Sequence, residues 1–200
     1  LTDVQEFLVK RSFTRSSQDR YFMLSIAPQY KSEITLILDA LLNVWDKYPD
    51  LKLIISGFKL DAAGASWLID ILSQDRRLSQ KVVLTGYLPQ NDLYKYYSEA
   101  LALLTPLLDN VVSTARFPTK LGEYLISGQP VIACNVGEIG EYLKHGINAL
   151  LVDPASPVEF AKQMLFVIEN PTESAEIGVQ GRLVAETSFD YRVHSEKLAN

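Results

Sequence analysis

The amino-acid sequence predicts an α/β domain, doubly wound around a parallel sheet. Short apolar runs alternate with amphipathic stretches along the chain. The runs place Val, Ile and Leu at consecutive positions, as strands buried on both faces do. Each run is bounded by Gly, Pro, Asn or Asp, the residues that punctuate strands. Strand–helix alternation of this kind builds βαβ units with helices on both faces of one sheet.

Taken in order, residues 1–20 are polar and weakly patterned and read as a lead-in or linker, with the domain running over 21–200. The first strand is the run Tyr21–Ala27. In Lys31–Lys47, Ile34, Ile37, Leu38, Leu41, Leu42 and Trp45 recur at spacings of three and four, which predicts an amphipathic helix. Leu51–Ser56 is a second strand, Ala65–Arg77 a helix and Lys81–Thr85 a third strand. Pro89–Glu99 is helical, with Pro89 in a first turn that needs no amide donor. A fourth strand, Ala100–Thr105, leads through the long connection Pro106–Thr119 into a helix over Pro118–Ser127. Gly128 then supplies a left-handed helix end. Pro130–Cys134 and Asn148–Val152 are the last two strands, with a helix over Glu138–Lys144 between them. Pro157–Glu169, Glu173–Thr187 and Tyr191–Leu198 form a helical tail. Trp45 and Trp67 fall on apolar helix faces and read as core. Six strands so connected make a Rossmann-like sheet.

Composition bounds the function. A hydrophobic share of 48% against 22% charged excludes a disordered chain. With 19 Lys and Arg against 24 Asp and Glu, the net charge of −5 argues against nucleic acid or anionic membrane held by bulk charge. The longest uncharged stretch, Tyr124–Gly137, is 14 residues and carries Ser, Gln, Asn, Gly and Pro, whereas a membrane span needs about 20 apolar residues. The single Cys134 excludes an internal disulfide and a cysteine-built zinc site, and reads as a buried small hydrophobe. His145, before Gly146, reads as a helix C-terminal residue favoured by the dipole; His194 has no evident partner. No metal ligand set is visible. The chain opens on Leu1 without a secretory leader and reads as a piece of a longer protein.

Ligands of open parallel sheets sit beyond the carboxyl ends of the strands, which directs attention to the loops there. A helix starting near Pro118 presents unpaired amides and partial positive charge, a site for an anion such as phosphate. Lys120 adds a full charge in the first turn. Glu123, three residues on, shares its face and suits a vicinal diol such as ribose; an ordinary salt pair on a solvated helix has the same spacing. Lys31 is a second phosphate ligand or a solvated residue at a helix start. Gly57 and Gly86 follow strands, where a missing side chain admits a ligand or simply makes a turn. Tyr87 borders a nucleotide base or is a surface aromatic. Neither Gly-x-Gly-x-x-Gly nor a Gly-Lys-Ser/Thr phosphate loop is present, which weakens dehydrogenase and NTPase readings.

The stretch Phe117–Leu143, FPTKLGEYLISGQPVIACNVGEIGEYL, resembles the signature region of the retaining glycosyltransferases of family 4, in the carboxyl-terminal half of their GT-B fold. The pieces that carry the resemblance are Phe117-Pro118, Lys120-Leu121, Glu123-Tyr124-Leu125, Gly128, Pro130-Val131 and Gly137. Pro49–Gly57, Val82–Leu88, Gly146–Val152 and Phe189-Asp190-Tyr191 resemble flanking motifs of the family in the right order.

The resemblance implies a nucleotide-sugar donor, UDP-linked first and GDP-linked second, with no tightly bound cofactor and no metal. It implies that Glu123 contacts the ribose, that the Phe117–Lys120 loop offers amides to the diphosphate or sugar, and that Lys31 neutralises the leaving group. The implied donor site is Gly57, Tyr87, Phe117, Pro118, Thr119, Lys120, Leu121 and Glu123, with Lys31 and Lys120 the catalytic cations. Three features depart from the pattern: Ala115 stands where the first motif glutamate belongs, Ser25 and Ile26 where an arginine often falls, and Ser32 where a glycine follows the lysine. A GT-B enzyme has a second, amino-terminal domain that binds the acceptor, a glycan or lipid, and the helix near residues 190–200 crosses toward it. The resemblance further implies bacterial polysaccharide or glycolipid synthesis, in the cytoplasm or at the inner face of the membrane. A nucleotide-sugar epimerase and a degenerate, non-catalytic GT-B domain are the rival readings.

Overall fold

The computed structural model describes residues 20–59, 63–114 and 119–189. Among them, six strands form one sheet: β1 (Tyr21–Ser25), β2 (Lys52–Ser56), β3 (Val82–Gly86), β4 (Ala102–Thr105), β5 (Val131–Cys134) and β6 (Leu150–Val152). Every pairing is parallel, in the order β3-β2-β1-β4-β5-β6. The consecutive apolar residues of the runs explain this arrangement. Phe22, Met23, Leu53, Ile55, Leu103 and Ile132 are fully buried, each stabilising the fold by about 1.5–3 kcal/mol.

The helices are α1 (Lys31–Trp45), α2 (Ser66–Gln74), α3 (Arg76–Lys81), α4 (Gln90–Glu99), α5 (Val111–Thr114), α6 (Thr119–Ile126), α7 (Ile139–Tyr142), α8 (Pro157–Glu169) and α9 (Pro171–Val184). Parallel crossovers are right-handed. The step from β1 to β2 and the step from β4 to β5 run in opposite directions across the sheet, so α1 and α6 lie on opposite faces. α8 packs on α1 and α9 on α6, which covers both faces. The sheet is doubly wound as expected.

Several boundaries differ from expectation. The helix expected over Ala65–Arg77 breaks at Asp75, which is extended (φ −117, ψ 121). Its carboxylate accepts hydrogen bonds from the amides of Arg77 at 2.6 Å and Leu78 at 3.3 Å, so a capping side chain starts α3 and overrides the helical pattern. Lys81 accordingly ends a helix rather than opening β3. The helix expected over Glu138–Lys144 is the single turn α7, because Leu143 is already extended (φ −109, ψ 141). The late helix starts at Pro171 and passes at Ala185–Phe189 into a π turn. α5 was not expected; it lies inside the long connection after β4. Trp45 is core as expected, with its Nε1–H donating to the Leu51 carbonyl at 3.0 Å. Trp67 is only half-buried and is not core. The helix expected over Tyr191–Leu198, and the segment 1–19, lie outside the described residues.

Candidate functional site

β1 and β4 are neighbours, but the chain leaves them toward opposite faces, and a crevice opens between their carboxyl ends. That switch point is where open α/β sheets take ligands. A cleft of about 290 Å³ occupies it. Ser25, Ile26 and Ala27 wall it after β1, and Thr105, Pro106 and Leu107 after β4. Tyr30 and Glu33 enter from the start of α1; Thr119, Lys120 and Tyr124 enter from α6.

The floor is held by hydroxyls. Ile26 donates its amide to the Ser56 carbonyl at 2.9 Å, and successive amides of a strand point to opposite neighbours. The Ser25 amide therefore faces β4, beyond the paired residues Phe22–Ala102 and Met23–Leu103. The Tyr124 phenol accepts it at 2.7 Å. Tyr97 donates to the Ser25 hydroxyl at 3.0 Å, and that hydroxyl lies 2.7 Å from Ser56 Oγ. The Tyr97 and Tyr124 rings meet edge to face at 5.0 Å. Burial pushes both phenols well above their ordinary range, so they stay neutral donors and acceptors.

One wall is cationic. Lys120 Nζ reaches both oxygens of Glu123, at 3.1 and 2.9 Å, the i, i+3 pair its spacing allows. Lys120 lines the cleft, whereas Glu123 does not. The Lys120 side chain is 44% exposed, so the pair holds the two side chains together with little net stabilisation. Lys31 opens α1 but lies outside the cleft wall. Its ammonium sits 5.4 Å from the Trp67 ring, whose Nε1–H donates to the Pro28 carbonyl at 3.0 Å. Lys31 is exposed, and the indole face attracts its ammonium.

Of the remaining residues singled out in the sequence, Thr119 and Gly57 line the cleft. Gly57 is at φ +105, and a Cβ there would meet the Ile26 backbone at 3.3 Å. Leu121 is fully buried and offers a ligand its main chain alone. Tyr87 is 67% exposed after β3 and does not line the cleft; two strand spacings from β1, roughly 10 Å, keep it apart. Phe117, Pro118 and Ala115 lie outside the described residues. Cys134 is buried as expected, and burial first of all pushes its thiol up to about 11. His145 is not a helix end: α7 stops at Tyr142, and the His145 Nδ1 accepts the Leu151 amide at 3.0 Å, tying the loop to β6.

Sequence reasoning missed Glu33, Thr105, Tyr97 and Tyr30. Glu33 stood in the polar face of an amphipathic helix, and Thr105 ended an apolar run; neither pattern says which side of a strand end faces a crevice. Among the described residues no cluster of three or more His, Cys, Asp or Glu is placed to hold a metal, and no helix is long and apolar enough to cross a membrane.

The arrangement can bind an anion beside a polar pocket. A family model described as glycosyl transferases group 1 matches residues 9–184. The chain belongs to that family. Among curated glycosyl transferases, the amylovoran biosynthesis glycosyltransferase AmsK of Erwinia amylovora is 25% identical over 126 residues, 62% of this chain and 31% of that protein. The fold superposes on a Rickettsia africae glycosyltransferase with a TM-score of 0.81 at 13% identity, over 99% of this chain and 54% of that one. Anabaena HepE, solved with UDP and glucose, gives 0.78 at 20% identity, over 99% and 54%. The carboxyl-terminal domain of Francisella tularensis LpcC gives 0.67 at 18%, over 94% and 93%. These neighbours are GT-B glycosyltransferases, and the group 1 domain shares their fold. It spans about half the length of the two larger ones.

Proposed function

We propose that this group 1 domain, over residues 21–200, is the donor-binding half of a retaining family 4 glycosyltransferase. In this reading the switch-point cleft takes a nucleoside diphosphate sugar, UDP-linked first and GDP-linked second. The observation that carries it is the cationic wall: Lys120 lines a cleft at the start of α6, and the first-turn amides of a helix lack intrahelical partners and suit a phosphate. The Phe117-Pro118 resemblance and the complex of HepE with UDP and glucose support the same assignment.

Transfer of the sugar leaves negative charge on the departing diphosphate. Lys120 and the α6 amides stabilise that charge from one side, and Lys31, beside Trp67, supplies a second cation from the mouth. Glu123 exchanges its grip on Lys120 for the ribose diol when the phosphate arrives. The acceptor, a glycan or lipid, is bound by a second domain, at the cytoplasmic face of a membrane. Ala115 favours a second reading, a domain that keeps the cleft and has lost catalysis.

Thermal unfolding of this chain against UDP, GDP, ADP and CDP tests the donor reading. A ligand at 100 times its dissociation constant stabilises by about 2.7 kcal/mol, several degrees for a domain of this size. A selective shift with one diphosphate is expected. No shift with any of the four overturns the reading for this chain.

A further inference from the structure

Among the described residues, two polar side chains of the cleft have no hydrogen-bond or ion-pair partner. Glu33, in the first turn of α1, is 7% exposed and lines the cleft. Among the described residues its carboxylate has neither a hydrogen bond nor an ion pair. Thr105, at the end of β4, also lines the cleft at 7% exposure, and its Oγ1 is buried without a hydrogen bond. Burying a polar group without a partner costs free energy, as at Thr105 Oγ1. Glu33 stands in the first turn of α1, where the partial positive charge of the helix start favours a carboxylate. Groups kept in this state inside a crevice are candidates for pairing with a ligand.

The chemistry of the two groups selects that ligand. An ionised carboxylate only accepts hydrogen bonds, and a threonine hydroxyl donates and accepts. Together they satisfy a ligand hydroxyl in both directions. A phosphate, itself an anionic acceptor, is repelled by Glu33 and drawn to Lys120 on the α6 side. The cleft is therefore polarised, with an anion end and a hydroxyl end. Its volume of about 290 Å³ is at the lower edge of ligand pockets and holds one part of a nucleotide sugar, not all of it.

We propose that Glu33 and Thr105 form the subsite for the hydroxyls of the transferred sugar, with Glu33 the specificity-determining residue. This rests on the donor reading above and orients the donor within it: diphosphate toward Lys120, sugar toward Glu33.

Calorimetry with UDP and with UDP-glucose, UDP-galactose and UDP-N-acetylglucosamine on this chain tests it. Glu33→Ala weakens at least one UDP-sugar tenfold or more while UDP stays within twofold. Thr105→Val moves the same sugar in the same direction, and Glu33→Gln, which still accepts, recovers part of the loss. Equal weakening of UDP and the UDP-sugars assigns Glu33 to the nucleotide or to the fold and overturns the inference. So does unchanged affinity for all three UDP-sugars, with the donor reading left standing. If the unaltered chain binds neither UDP nor any UDP-sugar, the UDP donor reading fails and takes this inference with it.

Discussion

Lys120 and Glu123 form one unit in the free domain, with an ammonium touching both oxygens of a carboxylate. If Glu123 merely neutralised Lys120, its removal would leave diphosphate affinity unchanged or tighter. The ribose role has the opposite sign, so Glu123→Ala is expected to weaken UDP binding, as calorimetry reads directly. Lys120→Ala removes a charge-assisted contact of about 1.5–3 kcal/mol, and UDP affinity should fall roughly tenfold or more. In the intact transferase the same substitution should depress turnover about 100-fold; turnover within twofold of the unaltered enzyme would sink the catalytic assignment. Tyr124→Phe deletes the acceptor for the Ser25 amide. That half-buried donor loses its partner at about 1 kcal/mol, and urea unfolding should show the loss with an unchanged slope.

At the scale of elements, α9 approaches the turn before β5 so closely that only glycine fits. A Cβ on Gly178 would collide with the Gly128 carbonyl and lie 2.9 Å from the Gln129 carbonyl carbon. Backbone cannot rotate away as a side chain does. Gly178→Ala is therefore expected to lower stability by about 1–3 kcal/mol through overpacking, although alanine is the better helix former. An unchanged midpoint would mean that α9 does not rest on this turn. The helix itself was expected over Glu173–Thr187, and the contact was not. Gly178 reads in sequence as a weak helix residue, and its role appears only once Gly128–Pro130, fifty residues away in the chain, is beside it. The break at Asp75 is the converse case. An Asp before Arg-Arg-Leu is a local capping signal that periodicity alone overrode.

For the molecule as a whole, alkaline stability follows from the groups buried beside the sheet. The Cys134 thiol is raised from 9.0 to about 11 by burial first, and the Tyr97 and Tyr124 phenols are raised above 10.0. In each, the folded state holds its proton after the unfolded state has lost it. Their contribution is complete below the unfolded values and is lost as pH rises toward the folded ones. Stability is expected to fall from about pH 9 upward, with Cys134 accounting for on the order of 3 kcal/mol across pH 9–11. Cys134→Ala should flatten that part of a chemical-denaturation profile; an unchanged slope there would remove the thiol from the account.

The sequence by itself determined the six strands, their parallel pairing and the cationic helix start at Lys120. Consecutive β-branched and leucine residues, proline and glycine punctuation and a three-residue charge spacing are local properties, and local properties survive without a fold. Family membership was legible for a related reason: the motif Phe117–Leu143 is contiguous. Only the tertiary structure decided what surrounds the cleft. It brought Tyr97 of α4 and Tyr124 of α6 onto Ser25 of β1, left Tyr87 two strands away, and set Glu33 and Thr105 in one crevice. Those relations join residues about 70 to 100 positions apart, and they depend on strand order and on which face each crossover takes. Neither quantity is written in the spacing of side chains along the chain.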